Sequence, residues 1–246
     1  MTAIVGVLCK DGIVIGTDSS TTFGQGQCKT IEQPSEKLSI IDNHVIIAGT
    51  GPVGLGQRFG RIVQEAWVGN KFNGHYLDCG KYLAHAAIED FASTKVERGQ
   101  YGALVAFPVK KTPYLCEFAL SDFQPEFKTE KIWYGSMGST VTITDTFLGF
   151  IRDTFWQNGP PLLSEGILSA VWTLQLAIQI NPGGVNGPMR IATMRTIKGD
   201  IEAKILTEED LGETHQMLSE MKEKMRGIRD SHSPTESTNP LPSFVK

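Results

Sequence analysis

Cysteine is scarce in this chain, and the 4 cysteines that it has are widely separated. Cys9, Cys28, Cys79 and Cys116 form no CxxC pair, which is typical of reduced thiols rather than of a zinc site or a disulfide scaffold. The 5 histidines show no metal-ligand spacing either. The sequence therefore predicts neither a bound metal nor any other cofactor.

The chain also lacks an excess of basic charge, a signal region and a long linker. Its formal net charge of −4 provides no basic field for a nucleic acid, and no apolar run approaches a membrane span. We therefore expect a cytoplasmic protein without a nucleic acid or membrane partner. With 40% hydrophobic residues and no interruption before residue 228, the pattern predicts one domain over 1–227. Ser, Pro, Thr and Asn dominate residues 228–246, which we predict to be a disordered tail.

The second residue carries the most informative signal in the chain. Thr2 follows Met1, precedes a strand-like run over 3–9, and is small enough to permit removal of Met1. An N-terminal threonine would then carry a hydroxyl nucleophile and, in its free α-amine, a general base. Many proteins begin with Met-Thr by chance, so the signal depends on the residues that follow.

Those residues place polar side chains beside Thr2. The segments 3–9 and 13–17 form a predicted hairpin, which returns Asp18 to the side of Thr2. A third strand-like segment begins at Lys37. The first fifty residues thus hold short motifs in a fixed order: Thr2, Lys10-Asp11-Gly12, Asp18-Ser19, Lys37-Leu38, Asp42 and Ala48-Gly49.

This order resembles the proteasome β-subunit family of N-terminal-nucleophile hydrolases, and within it the small bacterial homologues that carry no propeptide. The resemblance implies an α+β fold, a four-layer αββα sandwich of two antiparallel sheets flanked by helices. It implies that Thr2 is the nucleophile, that Lys37 places a positive charge next to it, and that Asp18 pairs with Lys37. A nearby cation lowers the pKa of an amine and leaves more of it as free base.

Further residues match family positions. Gly49 matches the glycine whose backbone N–H faces the developing oxyanion. Ser136 resembles the serine that bonds near the N-terminal amine, and Ser139 is a competing assignment. The family aspartate and serine after the fourth helix have no counterpart here, where Asn181 could supply a hydrogen bond, but not a charge, to orient the nucleophile.

The resemblance also implies a peptide-binding site. Thr22 and the segment 49–51, which includes Gly51, would pair with an extended substrate backbone. Ile47 would form the base of the first specificity pocket, with Thr21 and Ser35 on its walls. An apolar base cannot neutralise a buried charge, so we expect a preference for uncharged, apolar side chains.

A second interpretation of the glycines at 49–54 is a dinucleotide-binding loop, because they have the G-x-G-x-x-G spacing. Pro52 removes one of the N–H donors that would hold phosphate. No second strand ends in an acidic residue at the expected distance. The spacing alone is therefore a weak signal.

Beyond residue 50, apolar periodicity and proline positions predict alternating groups of helices and strands. The predicted helices are 53–69, 77–98, 141–157, 163–180 and 208–225, and the predicted strands are 101–109, 114–120, 128–134, 189–196 and 201–206. This order favours two sheets packed face to face with helices outside. The apolar side of the last helix fits either its own subunit or a contact between subunits.

The function implied by the resemblance is that of a threonine peptidase inside a self-compartmentalised assembly. The implied partners are copies of the chain in stacked rings, two rings of seven or alternatively of six, and unfolded polypeptide substrates; an ATP-dependent unfoldase is left open. No carboxylate occurs between Gln175 and Lys198. A specialised amidase or transpeptidase, or a catalytically silent structural subunit, therefore remains an alternative.

Overall fold

The computed structural model describes residues 1–25, 28–181 and 184–232. In chain order its strands and helices are β1 (Ala3–Cys9), β2 (Gly12–Thr17), β3 (Ser20–Gln25), β4 (Cys28–Pro34), β5 (Leu38–Ile41), β6 (Val45–Thr50), α1 (Val53–Val68), α2 (Tyr76–Ser93), β7 (Gly102–Val109), β8 (Thr112–Phe118), β9 (Pro125–Phe127), β10 (Tyr134–Gly138), α3 (Val141–Phe155), α4 (Leu163–Ile180), β11 (Arg190–Ile197), β12 (Asp200–Ile205) and α5 (Gly212–His232).

The first sheet is antiparallel and has the strand order β10-β1-β2-β11-β12. Its centre is the predicted hairpin, in which Cys9 lies opposite Gly12 across a two-residue turn. Nearly all side chains of β1 and β2 are buried, because α4 packs on one face of these strands and the second sheet lies on the other. Burial on both faces explains why these segments read as almost continuous apolar runs.

The second sheet has the order β5-β6-β7-β8-β9 and is also antiparallel. The helices α1 and α2 cover its outer face, where buried rings such as Phe59 and Phe107 fill the layer between helix and sheet. Between the two sheets lies a second core, which includes Ile4, Ile15 and Leu104. The layers follow the order α, β, β, α, so the predicted four-layer sandwich is confirmed.

The predicted strand over 128–134 is wrong. The backbone nitrogen of Thr129 donates to the carbonyl of Ile132 at 2.9 Å and closes a turn in the middle of that segment. The following strand, β10, begins only at Tyr134, and its Gly135 lies opposite Gly6 of β1. The side chain of Lys128 is buried because it forms ion pairs with Glu117 and Glu126. Its burial is therefore not the sign of a strand whose side chains alternate between buried and exposed.

A two-stranded sheet of β3 and β4 was not predicted from the sequence. Its register starts with Ser20 opposite Pro34 and shifts between Phe23 and Gly24. The polar residues at 19–22 lack the apolar alternation that signals a strand. This hairpin separates Asp18 from Lys37 along the chain by inserting residues between the two motifs.

The chain divides into two compact units, 1–207 and a second unit that begins at Glu208. The second unit contains α5, which ends at His232. Residues 228–232, which the sequence assigned to the tail, continue this helix. Residues 233–246 lie outside the described part of the chain.

Among the described residues one helix, α4, is long and apolar enough to cross a membrane by length and composition alone, with a mean hydropathy of 1.2 over 18 residues. Half of this window is buried, because α4 lies against β1, β2 and α3. Packing against three elements requires the apolar composition. The helix is therefore weak evidence for a membrane span.

Candidate active site

A buried ion pair joins Asp18, directly after β2, to Lys37, directly before β5. The Nζ of Lys37 lies 2.8 and 2.9 Å from the two carboxylate oxygens of Asp18. The Asp18 side chain is fully buried, and only 8% of the Lys37 side chain is exposed. Asp18 also accepts hydrogen bonds from the backbone nitrogens of Ala3 at 2.8 Å and Ser20 at 3.1 Å. The carboxylate is thus held by four donor contacts, which fix the position of the lysine.

The ammonium of Lys37 faces the peptide bond between Met1 and Thr2. Its Nζ donates to the carbonyl oxygen of Met1 at 2.8 Å. Thr2 is itself buried, with 8% of its surface exposed. The structure therefore brings together the three residues that the sequence proposed as nucleophile, cation and carboxylate.

The serine at the nitrogen of Thr2 is Ser139, and the placement expected for Ser136 is wrong. The backbone nitrogen of Thr2 donates to Ser139 Oγ at 3.1 Å. The Ser136 Oγ instead donates to a carboxylate oxygen of Asp145 at 2.6 Å and also bonds Thr144 Oγ1 at 2.6 Å. The reason is register: Ser136 lies opposite Val5 inside the sheet, whereas Ser139 follows the end of β10.

Gly138 allows the close approach of β10 to Thr2. Its φ is +98°, a conformation that favours glycine. A Cβ at this position would overlap the carbonyl group of Thr2 and lie 3.1 Å from the Thr2 Cβ. Glycine is therefore required for the turn that carries Ser139 to Thr2.

Gly49 lies near the end of β6, at the site, but its N–H already has a partner. The nitrogen of Gly49 donates to the carbonyl oxygen of Lys37 at 3.1 Å. A Cβ on Gly49 would overlap the hydroxyl of Tyr101, which accounts for glycine at this position. Its proposed task at an oxyanion stays a prediction and requires that the bond to Lys37 be shared or released.

A cavity of about 430 Å³ opens beside Thr2. It runs between the end of β6 and the first turns of α1, and its lining includes Ile47, of which 5% is exposed. The other predicted substrate-binding residues on its wall are Thr21, Ser35 and Gly51. Four of the five residues predicted to bind substrate thus share one cavity with the candidate nucleophile.

The hydroxyls of Thr21 and Ser35 bond each other across the β3–β4 hairpin. Thr22 lies in β3 opposite Glu32, and its side chain falls outside the described part of the structure. Gly51 has a φ of +126°, so the chain turns there in a conformation that suits glycine. Thr21 and Ser35 line the cavity on the side of the hairpin, and Gly51 lines it just after the end of β6.

Asn181 caps the C-terminal end of α4. Its backbone nitrogen donates to the carbonyl of Ala177 at 3.1 Å. Within the described residues, no hydrogen bond joins its side chain to Thr2 or Lys37. The chain returns to the site at Asn186, whose carbonyl accepts a hydrogen bond from the backbone nitrogen of Ser19 at 3.0 Å. An orienting function for Asn181 stays a prediction.

Sequence reasoning missed Tyr101 as a residue of this site. Tyr101 lines the cavity although it lies far along the chain, just before β7. Its signal was a lone aromatic residue at the start of a strand, which predicts core packing as readily as a site. Only the pairing of β6 with β7 places it below Gly49.

Known proteins resemble this chain in sequence and in fold. The sequence profile described as "Proteasome subunit" matches residues 2–139. Proteasome subunit beta of Methanococcus maripaludis is 37% identical over 62 residues, which are 25% of this chain and 27% of that protein. The match thus spans about a quarter of the length of the curated relative.

Two solved structures show the same fold. Anbu, an ancestral beta-subunit, from Yersinia bercovieri has a TM-score of 0.69 at 13% identity and covers 96% of this chain and 100% of its own. An Anbu Gly-1 mutant from Hyphomicrobium sp. strain MC1 has a TM-score of 0.68 at 13% identity and covers 94% and 99%. The chain therefore shares the fold of these two Anbu proteins.

Proposed function

Because the chain belongs to the proteasome subunit family, we propose that it is a threonine-type endopeptidase whose nucleophile is Thr2 after removal of Met1. The observation that carries this proposal is the ammonium of Lys37, which both oxygens of Asp18 hold against the Met1–Thr2 peptide. If the nitrogen of Thr2 becomes a free amine, a buried cation at that point would lower the pKa of this amine. The cavity beside Thr2 supplies room for a substrate.

The proposed reaction uses the two functional groups of Thr2. Its hydroxyl oxygen attacks the carbonyl carbon of the scissile bond while its amine accepts the hydroxyl proton, directly or through one water. The amine then protonates the leaving nitrogen, and water hydrolyses the resulting ester. Lys37 lowers the pKa of the amine, so that more of it is unprotonated near neutral pH. Ser139, 3.1 Å from the same nitrogen, orients it.

The substrate would bind as an added strand between β3 and the end of β6. The last residues of β6 pair with β7 on one side, Gly49 with Ala103 and Thr50 with Gly102. On the other side β5 starts only at Leu38, which lies opposite Ala48. The edge at Thr50 and Gly51 thus extends beyond β5, and an extended peptide can pair there, whereas the N–H of Gly49 first has to share or release its bond to Lys37.

We further propose that copies of the chain assemble into stacked rings in the cytoplasm, with Thr2 facing the interior. Family membership supports this part of the proposal. Seven subunits in each ring is the first expectation and six is the alternative. Enclosure would restrict the substrates to unfolded polypeptides, delivered with or without an ATP-dependent unfoldase. Native mass spectrometry tests the assembly, and a spectrum of monomers alone would reject it.

A specialised amidase or transpeptidase on the same fold is the second candidate. It is favoured by the lack of any carboxylate between Gln175 and Lys198. Asn181 could orient the nucleophile by a hydrogen bond but supplies no negative charge. An amine acceptor added during turnover separates the two reactions. Hydrolysis yields a free acid, whereas transfer yields the new amide.

The experiment that tests the proposed function is an intact-mass measurement before and after treatment with an epoxyketone. This electrophile reacts with the hydroxyl and the free amine of one N-terminal threonine. We expect loss of Met1 and a single adduct that is absent from Thr2→Ala. Retained Met1 without an adduct would instead favour a silent structural subunit.

A further inference from the structure

The tyrosine below Gly49 has one face in the core and its hydroxyl at the cavity. Its ring packs against Phe59, Phe91 and Phe123, with centroid separations of 5.8, 6.0 and 6.0 Å. Only 6% of Tyr101 is exposed. Three aromatic neighbours therefore fix the ring, and the position of the hydroxyl is set by the core.

Two glycines of the cavity wall define where this hydroxyl lies. A Cβ on Gly49 would overlap it, and a Cβ on Gly56 would lie 3.6 Å from it. Both glycines line the cavity next to Thr2. Because neither has a side chain, nothing on these two walls covers the phenol.

The Tyr101 hydroxyl has no hydrogen-bond partner among the residues that the structure describes. Burial raises the pKa of the phenol, so the group stays neutral and keeps its proton at physiological pH. A neutral phenol donates one hydrogen bond. The cavity thus contains a fixed donor that the protein itself does not use.

The charged groups at the cavity are already paired. Glu36 forms an ion pair with Arg190 at 2.5 Å, and Lys37 is held by Asp18. The other polar side chains on the wall are neutral, namely hydroxyls such as those of Ser35 and Ser39 and the carboxamide of Gln57. Among the described residues, the charged side chains that line the cavity, Glu36 and Lys37, are thus already engaged in ion pairs.

We propose that Tyr101 is a specificity-determining residue and that its hydroxyl selects substrates whose side chain at the cleaved bond ends in a neutral amide. The amide oxygen accepts the hydrogen bond from Tyr101, and the amide nitrogen donates to the hydroxyls of the wall. This inference rests on the proposed function. It agrees with the expected preference for uncharged side chains and differs from the expectation, drawn from Ile47 at the base of the pocket, that they are apolar.

The selection arises from the penalty on the wrong substrate. A methionine side chain fills nearly the same length as glutamine but displaces water from the phenol without accepting its hydrogen bond. A buried donor left unpaired weakens binding in the transition state by a factor of about 10 or more. We therefore expect a glutamine peptide to exceed the matched methionine peptide about tenfold in kcat/KM.

The test compares peptides that differ only in the residue before the cleaved bond: glutamine, methionine, glutamate and lysine. Tyr101→Phe keeps the ring and its packing and removes only the donor. We expect the glutamine-to-methionine ratio to fall to near one in this variant. Tyr82→Phe, an exposed tyrosine on α2, serves as the matched control and should keep the ratio.

A second variant tests the same hydroxyl without changing Tyr101. Gly56→Ala adds a methyl group at ordinary contact distance, 3.5 to 3.9 Å from the ring and hydroxyl of Tyr101. The methyl group covers the donor from the cavity, so the ratio should fall here too. Gly54→Ala lies in the same helix with no atom within 4 Å of the added Cβ, and should leave the ratio unchanged.

Three results would overturn the inference. Equal turnover of glutamine and methionine peptides by the unmodified enzyme rejects the selection. A uniform loss across all four peptides in Tyr101→Phe would place the residue at the reacting atoms instead. Absence of an epoxyketone adduct would reject the proposed function and this inference with it, whereas an adduct without amide preference would reject this inference alone.

Discussion

The Oγ of Ser139, the residue after β10, lies 3.1 Å from the backbone nitrogen of Thr2. Ser136, within β10, instead bonds Asp145 of α3. Ser139→Ala should therefore slow epoxyketone labelling of Thr2 by a factor of about 10 to 100, because one positioned hydrogen bond at the reacting amine is lost. The measurement is the second-order labelling rate, followed by intact mass.

The matched control for this variant is Ser136→Ala. It removes the bonds to Thr144 and Asp145, which should lower the free energy of unfolding by about 1 to 3 kcal/mol. The labelling rate of the folded protein should stay the same. A slower rate in Ser136→Ala together with a normal rate in Ser139→Ala would assign the serines the other way round.

Replacement of Asp18 should destabilise the fold as well as the site. Asp18→Asn keeps the shape of the side chain but leaves the ammonium of Lys37 buried without its counter-charge. We expect a loss of about 3 to 5 kcal/mol in the free energy of unfolding, measured with urea. Glu36→Gln breaks the more exposed ion pair with Arg190 and should cost no more than about 1 kcal/mol. Equal losses in the two variants would contradict the difference in burial.

Gly49→Ala tests the close approach of Tyr101 to the end of β6. The added Cβ would overlap the hydroxyl and lie 2.8 Å from the ring carbon that bears it. We expect a loss of about 1 to 3 kcal/mol in the free energy of unfolding, together with loss of peptide turnover. Gly54→Ala in α1 meets no atom and should be neutral or stabilising by up to about 1 kcal/mol. A neutral Gly49→Ala would mean that the ring can move.

Stability should fall at alkaline pH because several buried groups keep their protons in the native state. Burial raises the pKa of Tyr101, and burial, with smaller effects of Asp11 and Glu165, raises the pKa of Cys9. The unfolded chain releases these protons earlier, above about pH 8.5 for the thiol and about pH 10 for the phenol. Unfolding is therefore favoured as pH rises through that range. Below it, the buried protonated groups make their full contribution to the free energy of unfolding.

Urea unfolding in reducing buffer between pH 7 and 11 measures this loss. Tyr101→Phe has no phenol to ionise at that position, so its stability should decline less above pH 10 than that of the unmodified chain. Tyr82→Phe, which changes an exposed tyrosine, should follow the unmodified chain. Identical slopes for all three proteins would show that the native state of Tyr101 titrates normally.

The sequence predicted those parts of the fold whose signal is local. The hairpin of β1 and β2 has apolar strands and turn residues side by side, and α4 has a long apolar run with a proline on either side. The prediction of a strand over 128–134 failed at Lys128. This residue is buried because it forms ion pairs with Glu117 of β8 and Glu126 of β9, which belong to different strands. Such pairing between segments has no signature in one segment alone.

The candidate site also combines residues predicted from local motifs with residues placed by contacts between strands. Short motifs in a fixed order predicted that Thr2, Asp18 and Lys37 lie together, and the structure brings them together; their catalytic function stays a prediction. The choice between Ser136 and Ser139 depended on strand register, since a shift along β10 decides which residue reaches Thr2. Tyr101 depended on the pairing of β6 with β7. These are relationships across the sheet, which residue types and spacing do not encode directly.

Both sides of the Met1–Thr2 peptide are engaged in the folded chain, the carbonyl by Lys37 and the nitrogen by Ser139. An aminopeptidase needs this bond in an accessible, extended form. If Met1 is removed as proposed, its excision has to occur during translation, while the first strand is emerging and before that strand pairs. A chain that folds ahead of the aminopeptidase would keep its methionine, and the fraction of a preparation with a free Thr2 amine would then depend on how fast the chain was synthesised.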